Sequence, residues 1–82
     1  MEVVLTKDAK RRIAELPEHL RSRMIRKLVQ LGDRAYEGKK LDGEYSGCRV
    51  IRMWPYRIIY EIRRRELIIL VLRIADRKDA YR

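Results

Sequence analysis

The 82 residues can hold one small domain, and they carry 21 Lys and Arg against 12 Asp and Glu, a net charge of +9. Folding at this size buries roughly 60–65% of the chain's surface, which excludes two independent cores, and a hydrophobic fraction of 46% excludes a chiefly disordered chain. Residues 1–37 hold net +3 and residues 38–82 net +6, so the field that attracts a polyanion, whether nucleic acid or acidic protein, is strongest in the second half. The single cysteine, Cys48, allows no intrachain disulfide and no cysteine-rich metal site, and it fits a reducing, cytoplasmic setting. The most apolar run, Leu67 to Leu72, is about a third of the roughly 20 residues that cross a bilayer, so neither a membrane span nor a secretory signal is expected.

In chain order, Val3, Val4 and Leu5 form a short β-branched run ending at Thr6, a residue suited to cap a helix. Ala9, Ile13 and Leu16 then recur at helical spacing, and Pro17 ends that helix or begins the next. Leu20, Met24, Leu28, Leu31 and Ala35 form the strongest stripe, widened by Ile25 and Val29, with Gly38 where a C-terminal cap is expected. Residues 7–37 therefore predict a helical hairpin whose apolar face lies on a sheet. Residues 39–47 are polar with two glycines and read as a loop.

Three predicted strands follow, Cys48–Met53, Tyr56–Ile62 and Leu67–Ile74, with hairpin tips at Trp54–Pro55 and at the charged run 63–66. In the middle strand Tyr56, Ile58, Tyr60 and Ile62 share one face, and Arg57, Ile59 and Glu61 the other. The last run is apolar at nearly every position, which predicts a central strand covered on both faces. The whole is an α+β domain of order β-α-α-β-β-β spanning residues 1–82, its helical hairpin packed on one face of a mostly antiparallel twisted sheet. The other face is left partly open and carries Arg57 with neighbouring basic residues.

One histidine and one cysteine make no zinc site, and no P-loop, dinucleotide glycine pattern or Ser-His-Asp set is present. Glu61, Asp76 and Asp79 each have basic neighbours that compete with a magnesium ion, so neither metal nor cofactor is expected. RNA offers a route that needs none. Its own 2′-hydroxyl attacks the adjacent phosphate, and the protein supplies a proton acceptor, cations for the phosphorane charge, and an acid for the leaving 5′-oxygen.

The segment Lys40-Leu-Asp-Gly43, the strand Arg49-Val-Ile-Arg52, the stretch Pro55-Tyr-Arg-Ile-Ile-Tyr-Glu61 and the terminal Ala75-Asp-Arg-Lys-Asp-Ala-Tyr81-Arg82 together resemble the RelE/ParE superfamily of type II toxin–antitoxin toxins. The family's form is a Leu-x-Gly loop, a basic strand, a Tyr-Arg-Val-Ile-Tyr strand and a closing His-Arg-x-x-x-Tyr, in the same spacing over nearly the whole chain. The resemblance implies a RelE-like fold. For the RelE branch it implies a metal-free, ribosome-dependent mRNA endonuclease that cuts in the A site, RNA binding, and a cognate antitoxin held in a hetero-oligomer.

In that branch the active site matches Arg49 or Arg52 on the basic strand, then Arg57, Arg77 and Tyr81. Lys39, Lys40, Trp54 and Arg82 are the accompanying candidates for holding RNA, with Trp54 either stacking on a base or packing against a partner or the loop. Arginine stands where relatives often have lysine, and Asp76 where many have histidine. Arginine, with a pKa above about 12, is a poor general base, which shifts that role toward Tyr81, Lys39 or Lys40. Two other readings are open: a gyrase inhibitor like the ParE branch of the family, which has the same fold but lacks most of that set, and an RNA- or ribosome-binding module that does not cut.

Overall fold

A computed structural model describes residues 1–78. The chain forms β1 (Glu2–Leu5), α1 (Lys7–Ala14), α2 (Glu18–Asp33), β2 (Lys39–Lys40), one 3-10 turn (Gly43–Tyr45), β3 (Arg49–Met53), β4 (Tyr56–Arg63) and β5 (Ile68–Asp76). The sheet order is β1-β5-β4-β3-β2, with β1 parallel to β5 and every other pair antiparallel. This is the expected α+β architecture with one additional two-residue strand. Segment 39–47 was expected as a loop throughout, but Lys39 and Lys40 pair with Val50 and Arg49. Two lysines carry no apolar alternation that would reveal a strand.

Thr6 fixes the first helix. Its hydroxyl oxygen accepts from the Ala9 N–H at 3.2 Å and donates to the Leu72 carbonyl at 2.9 Å, so one side chain caps α1 and ties it to β5. Pro17 begins α2, and Arg21 reaches back to the Leu16 carbonyl at 3.1 Å, satisfying a backbone acceptor beyond the end of α1. Ala9, Ile13, Leu16, Met24, Leu28, Leu31 and Ala35 pack on Met53, Ile58, Tyr60, Ile69, Val71 and Ile74 to form the main core.

Gly38 is not the left-handed helix cap expected of it, since α2 ends at Asp33 and the positive-φ glycines are Gly43 and Gly47. Its role is spatial. The Tyr60 hydroxyl accepts from the Gly38 N–H at 2.9 Å and donates to the Ala35 carbonyl at 2.7 Å, and a Cβ at position 38 would lie 2.9 Å from ring carbons Cε1 and Cζ of Tyr60. The glycine makes room for the ring that closes the segment after α2.

Ile25 and Val29 do not widen the buried stripe. They are 50% and 67% exposed and line an apolar groove with Met1, Val3, Leu5, Ile13 and Leu28, because the sheet ends at β1 beneath them. Leu67 likewise stands outside β5, in the turn, at φ 57° and 69% exposed. That region costs a non-glycine residue about 1 kcal/mol or more.

β5 is paired on both edges as expected, but its two faces are covered unequally. Ile69, Val71 and Ile74 are buried toward the helices, whereas on the opposite side Leu70 and Leu72 are half-buried and Ala75 is closed off at 1% exposed. Segment 41–47 crosses that opposite face only far enough to build a second small core, in which Leu41, Tyr45 and Leu72 pack on Cys48, Val50 and Ile59.

Candidate functional site

The remainder of that face carries the basic residues. In the β3–β4 hairpin Arg52 stands directly opposite Arg57, and Arg57 is paired in turn with Ala75 of β5. Directly opposed residues share a face with Cβ atoms about 5 Å apart, and like charges there oppose folding by up to about 1 kcal/mol. Arg73, two residues along β5 from Ala75, faces the same way because it pairs with Ile59. Arginines on β3, β4 and β5 thus form one slanted row on this face, with Arg73 diagonal to Arg57.

Arg73 and Tyr45 are members of this site that the sequence did not reveal. Counted by two from Ile69 and Val71, Arg73 belongs among the helices, but the register between β4 and β5 shifts between Ile59 and Tyr60. Tyr60 pairs with Val71 and Ile59 with Arg73, which leaves Leu72 as an extra residue and turns Arg73 to the open face. Thr6 takes the Leu72 carbonyl as its acceptor. Arg73 Nη1 donates to the Tyr45 hydroxyl at 3.2 Å, so the loop residue that covers the second core also sets a phenol beside the arginine row. A lone arginine inside an apolar run was the available signal.

Arg49 is separated from this row. It is three positions from Arg52 and therefore points to the helix side, where Nη1 donates to the Gly38 carbonyl at 2.8 Å and the Tyr36 carbonyl at 3.3 Å. Its guanidinium also lies 5.2 Å from the Tyr36 ring centroid. Of the two arginines matched to the basic strand, Arg52 stands beside Arg57, and Arg49 braces the segment after α2. Lys39 shares the open face with Val50, its partner in the register, and Lys40 shares the opposite face with Arg49.

At the hairpin tip, where the Trp54–Pro55 peptide is cis, Trp54 is 60% exposed. The Arg77 guanidinium lies 5.1 Å from its ring centroid, and the Arg77 N–H donates to the Pro55 carbonyl at 2.9 Å. Arg77 and Trp54 therefore join Arg52 and Arg57 at one end of the sheet. Tyr81, Arg82 and Asp79 lie outside the described residues.

Glu61 is on the open face but holds Arg63 at 2.7 Å, and Asp76 accepts from the Lys78 N–H at 3.1 Å. Among the described residues no group of three His, Cys, Asp or Glu side chains is placed to hold a metal ion. Burial, reinforced by the Glu61 carboxylate, pushes the Cys48 thiol above its ordinary value, which keeps it a neutral packing residue. No helix among these residues is long and apolar enough to cross a membrane.

A sequence model of the ParE toxins of type II toxin–antitoxin systems matches residues 3–81. The chain belongs to this toxin family. The toxin's fold is similar to a structure of the RelBE2 toxin–antitoxin complex from Mycobacterium tuberculosis, at 25% identity and a TM-score of 0.84 over 92% of this chain and 95% of that one. It is also similar in fold to the E. coli RelBE toxin–antitoxin complex, at 21% identity and a TM-score of 0.79 over 99% and 98% of the two chains. The isolated E. coli RelE toxin gives a TM-score of 0.78 at 21% identity over 99% and 85%. No curated protein sequence matches the toxin. These likenesses place it in the RelE/ParE superfamily and agree with the expected fold.

Proposed function

We propose that this toxin binds messenger RNA in the ribosomal A site and cuts it there. The observation that carries the reading is the directly opposed Arg52–Arg57 pair on the open sheet face. Such a pair concentrates positive charge on one face, and two or three guanidinium forks match a phosphate that gains charge in a transition state. The RNA 2′-oxygen would bond to phosphorus as the bond to the 5′-oxygen breaks. The proton leaving the 2′-hydroxyl goes to a base, and the 5′-oxygen takes one from an acid. Arginine keeps its proton at neutral pH, so the row supplies charge, and proton transfer falls to a phenol or an amine. Tyr45, held by Arg73, and Lys39 on the same face are the nearby groups, with Tyr81 the candidate beyond the described residues.

A reconstituted translation reaction with RNA ends mapped by primer extension tests this. New 3′ ends within A-site codons, formed only when ribosomes are present, are expected. An intact message under arrested translation would replace cutting with a ribosome-binding block. The family match to ParE toxins favours one further reading, inhibition of gyrase, for which a supercoiling assay would show accumulating cleaved DNA complexes while translation continues.

The antitoxin needs a surface of its own, and we assign it the apolar groove between α2 and β1. An acidic amphipathic segment fits, with apolar side chains on Ile25 and Val29 and carboxylates answering the toxin's net charge of +9. Ile25→Asp is expected to weaken antitoxin binding by about tenfold or more in calorimetry while the toxin still arrests growth. Unchanged affinity would place the antitoxin elsewhere.

A further inference from the structure

Arg23, Arg26, Lys27 and Gln30 stand at i, i+3, i+4 and i+7 on α2, a spacing that gathers them on one helix face. With Arg52, Met53 and Trp54 they line a cleft of about 320 Å³ between the helix and the β3–β4 hairpin tip. Four of the seven lining residues are cations and none is a carboxylate. Among the described residues none of these four cationic side chains takes part in a hydrogen bond or an ion pair. The cleft also presents an indole that is 60% exposed, a costly state for so large an apolar surface.

We propose that this cleft is a second, single-stranded RNA site, in which Trp54 stacks on a base and Arg23, Arg26 and Lys27 hold the flanking phosphates. The inference rests on the RNA reading of the arginine row and extends it to a part of the molecule that reading does not use. Arg52 makes the connection, because it opposes Arg57 on the open face and also lines the cleft. A strand held at Arg57 therefore continues over the hairpin tip onto α2. An aromatic face alternating with cations is how proteins follow a single strand without reading its sequence. An acidic peptide would use the cations but has no base to place on Trp54.

Trp54 is the chain's single tryptophan, so its emission reports binding at the hairpin tip, and substitutions on α2 assign the signal to the cleft. The intact toxin is titrated with an oligouridylate of about ten nucleotides over a series of salt concentrations, and each titration is repeated with poly-glutamate. RNA is expected to quench Trp54. The double variant Arg26→Ala/Lys27→Ala, altered only on the helix surface, is expected to bind at least about tenfold more weakly, and its log–log salt slope to fall by about 1.4 for two lost phosphate contacts. Absence of quenching by RNA, parental binding by the double variant, or quenching by poly-glutamate alone would each overturn the proposal, the last assigning the cleft to a protein. RNA ends mapped in the translation reaction separate the two readings. A cut message without quenching removes the cleft alone, whereas quenching that the double variant loses, beside an intact message, removes the endonuclease reading and leaves the cleft standing.

Discussion

Arg57→Ala is expected to lower the rate of message cutting by about 10²–10³-fold in the translation reaction, the loss typical of removing one preorganised group that stabilises transition-state charge. Arg57 lies in the middle of the row, opposite Arg52 and between β3 and β5, so its removal breaks the row where a phosphate would sit. Arg57→Lys is expected to recover only part of the rate, because an ammonium is a point charge and does not reproduce the planar fork. Arg52→Ala gives the complementary control. Arg52 is exposed and faces a like charge, so its loss is expected to leave stability equal to the parent's or to raise it by up to about 1 kcal/mol while cutting falls. Loss of cutting therefore cannot be ascribed to unfolding. Full cutting by Arg57→Ala would remove the arginine row from the chemistry.

Tyr60→Phe is expected to cost roughly 2–4 kcal/mol in urea melts, because it strands two buried backbone groups, the Gly38 N–H and the Ala35 carbonyl. Gly38→Ala strikes the same contact from the other side, since its new methyl would meet the Tyr60 hydroxyl and ring. A double-mutant cycle should show strong coupling between the two positions; additive losses would mean that the contact is not shared. The alkaline limb of stability gives an independent reading. Burial raises the Tyr60 pKa above its ordinary value of 10.0, so the folded protein resists losing that proton. The associated stability is fully present below pH 10.0 and is lost as the pH rises through the folded-state value. In Tyr60→Phe that part of the alkaline decline should vanish.

The arrangement of elements could be read from the sequence because apolar spacing of two or of three and four marks each long element. The helical stripe, the hairpin tips and the alternation in β4 are such cases. The site was legible only in part. Arg57 was placed by simple alternation, and the spacing of Arg49 and Arg52 already puts them on opposite faces, although only the register shows which one joins Arg57. Arg73 was hidden because one extra residue reverses the alternation. The α2 cations were hidden because a charged face on an amphipathic helix is ordinarily a solvated one; their significance comes from the hairpin tip set against them.

The parallel pairing of β1 with β5 has a bearing on how the molecule is made. Among the described residues β1 pairs with no strand but β5, and Thr6 and Leu72, which bond across that junction, are 66 positions apart. Contacts between such distant parts of a chain form late. Until the ribosome has made β5, β1 has nothing to pair with, α1 lacks the tie from Thr6 to Leu72, and Arg73 is not yet in the row. Assembly of the sheet, and of the arginine row with it, therefore waits until β5 has been made.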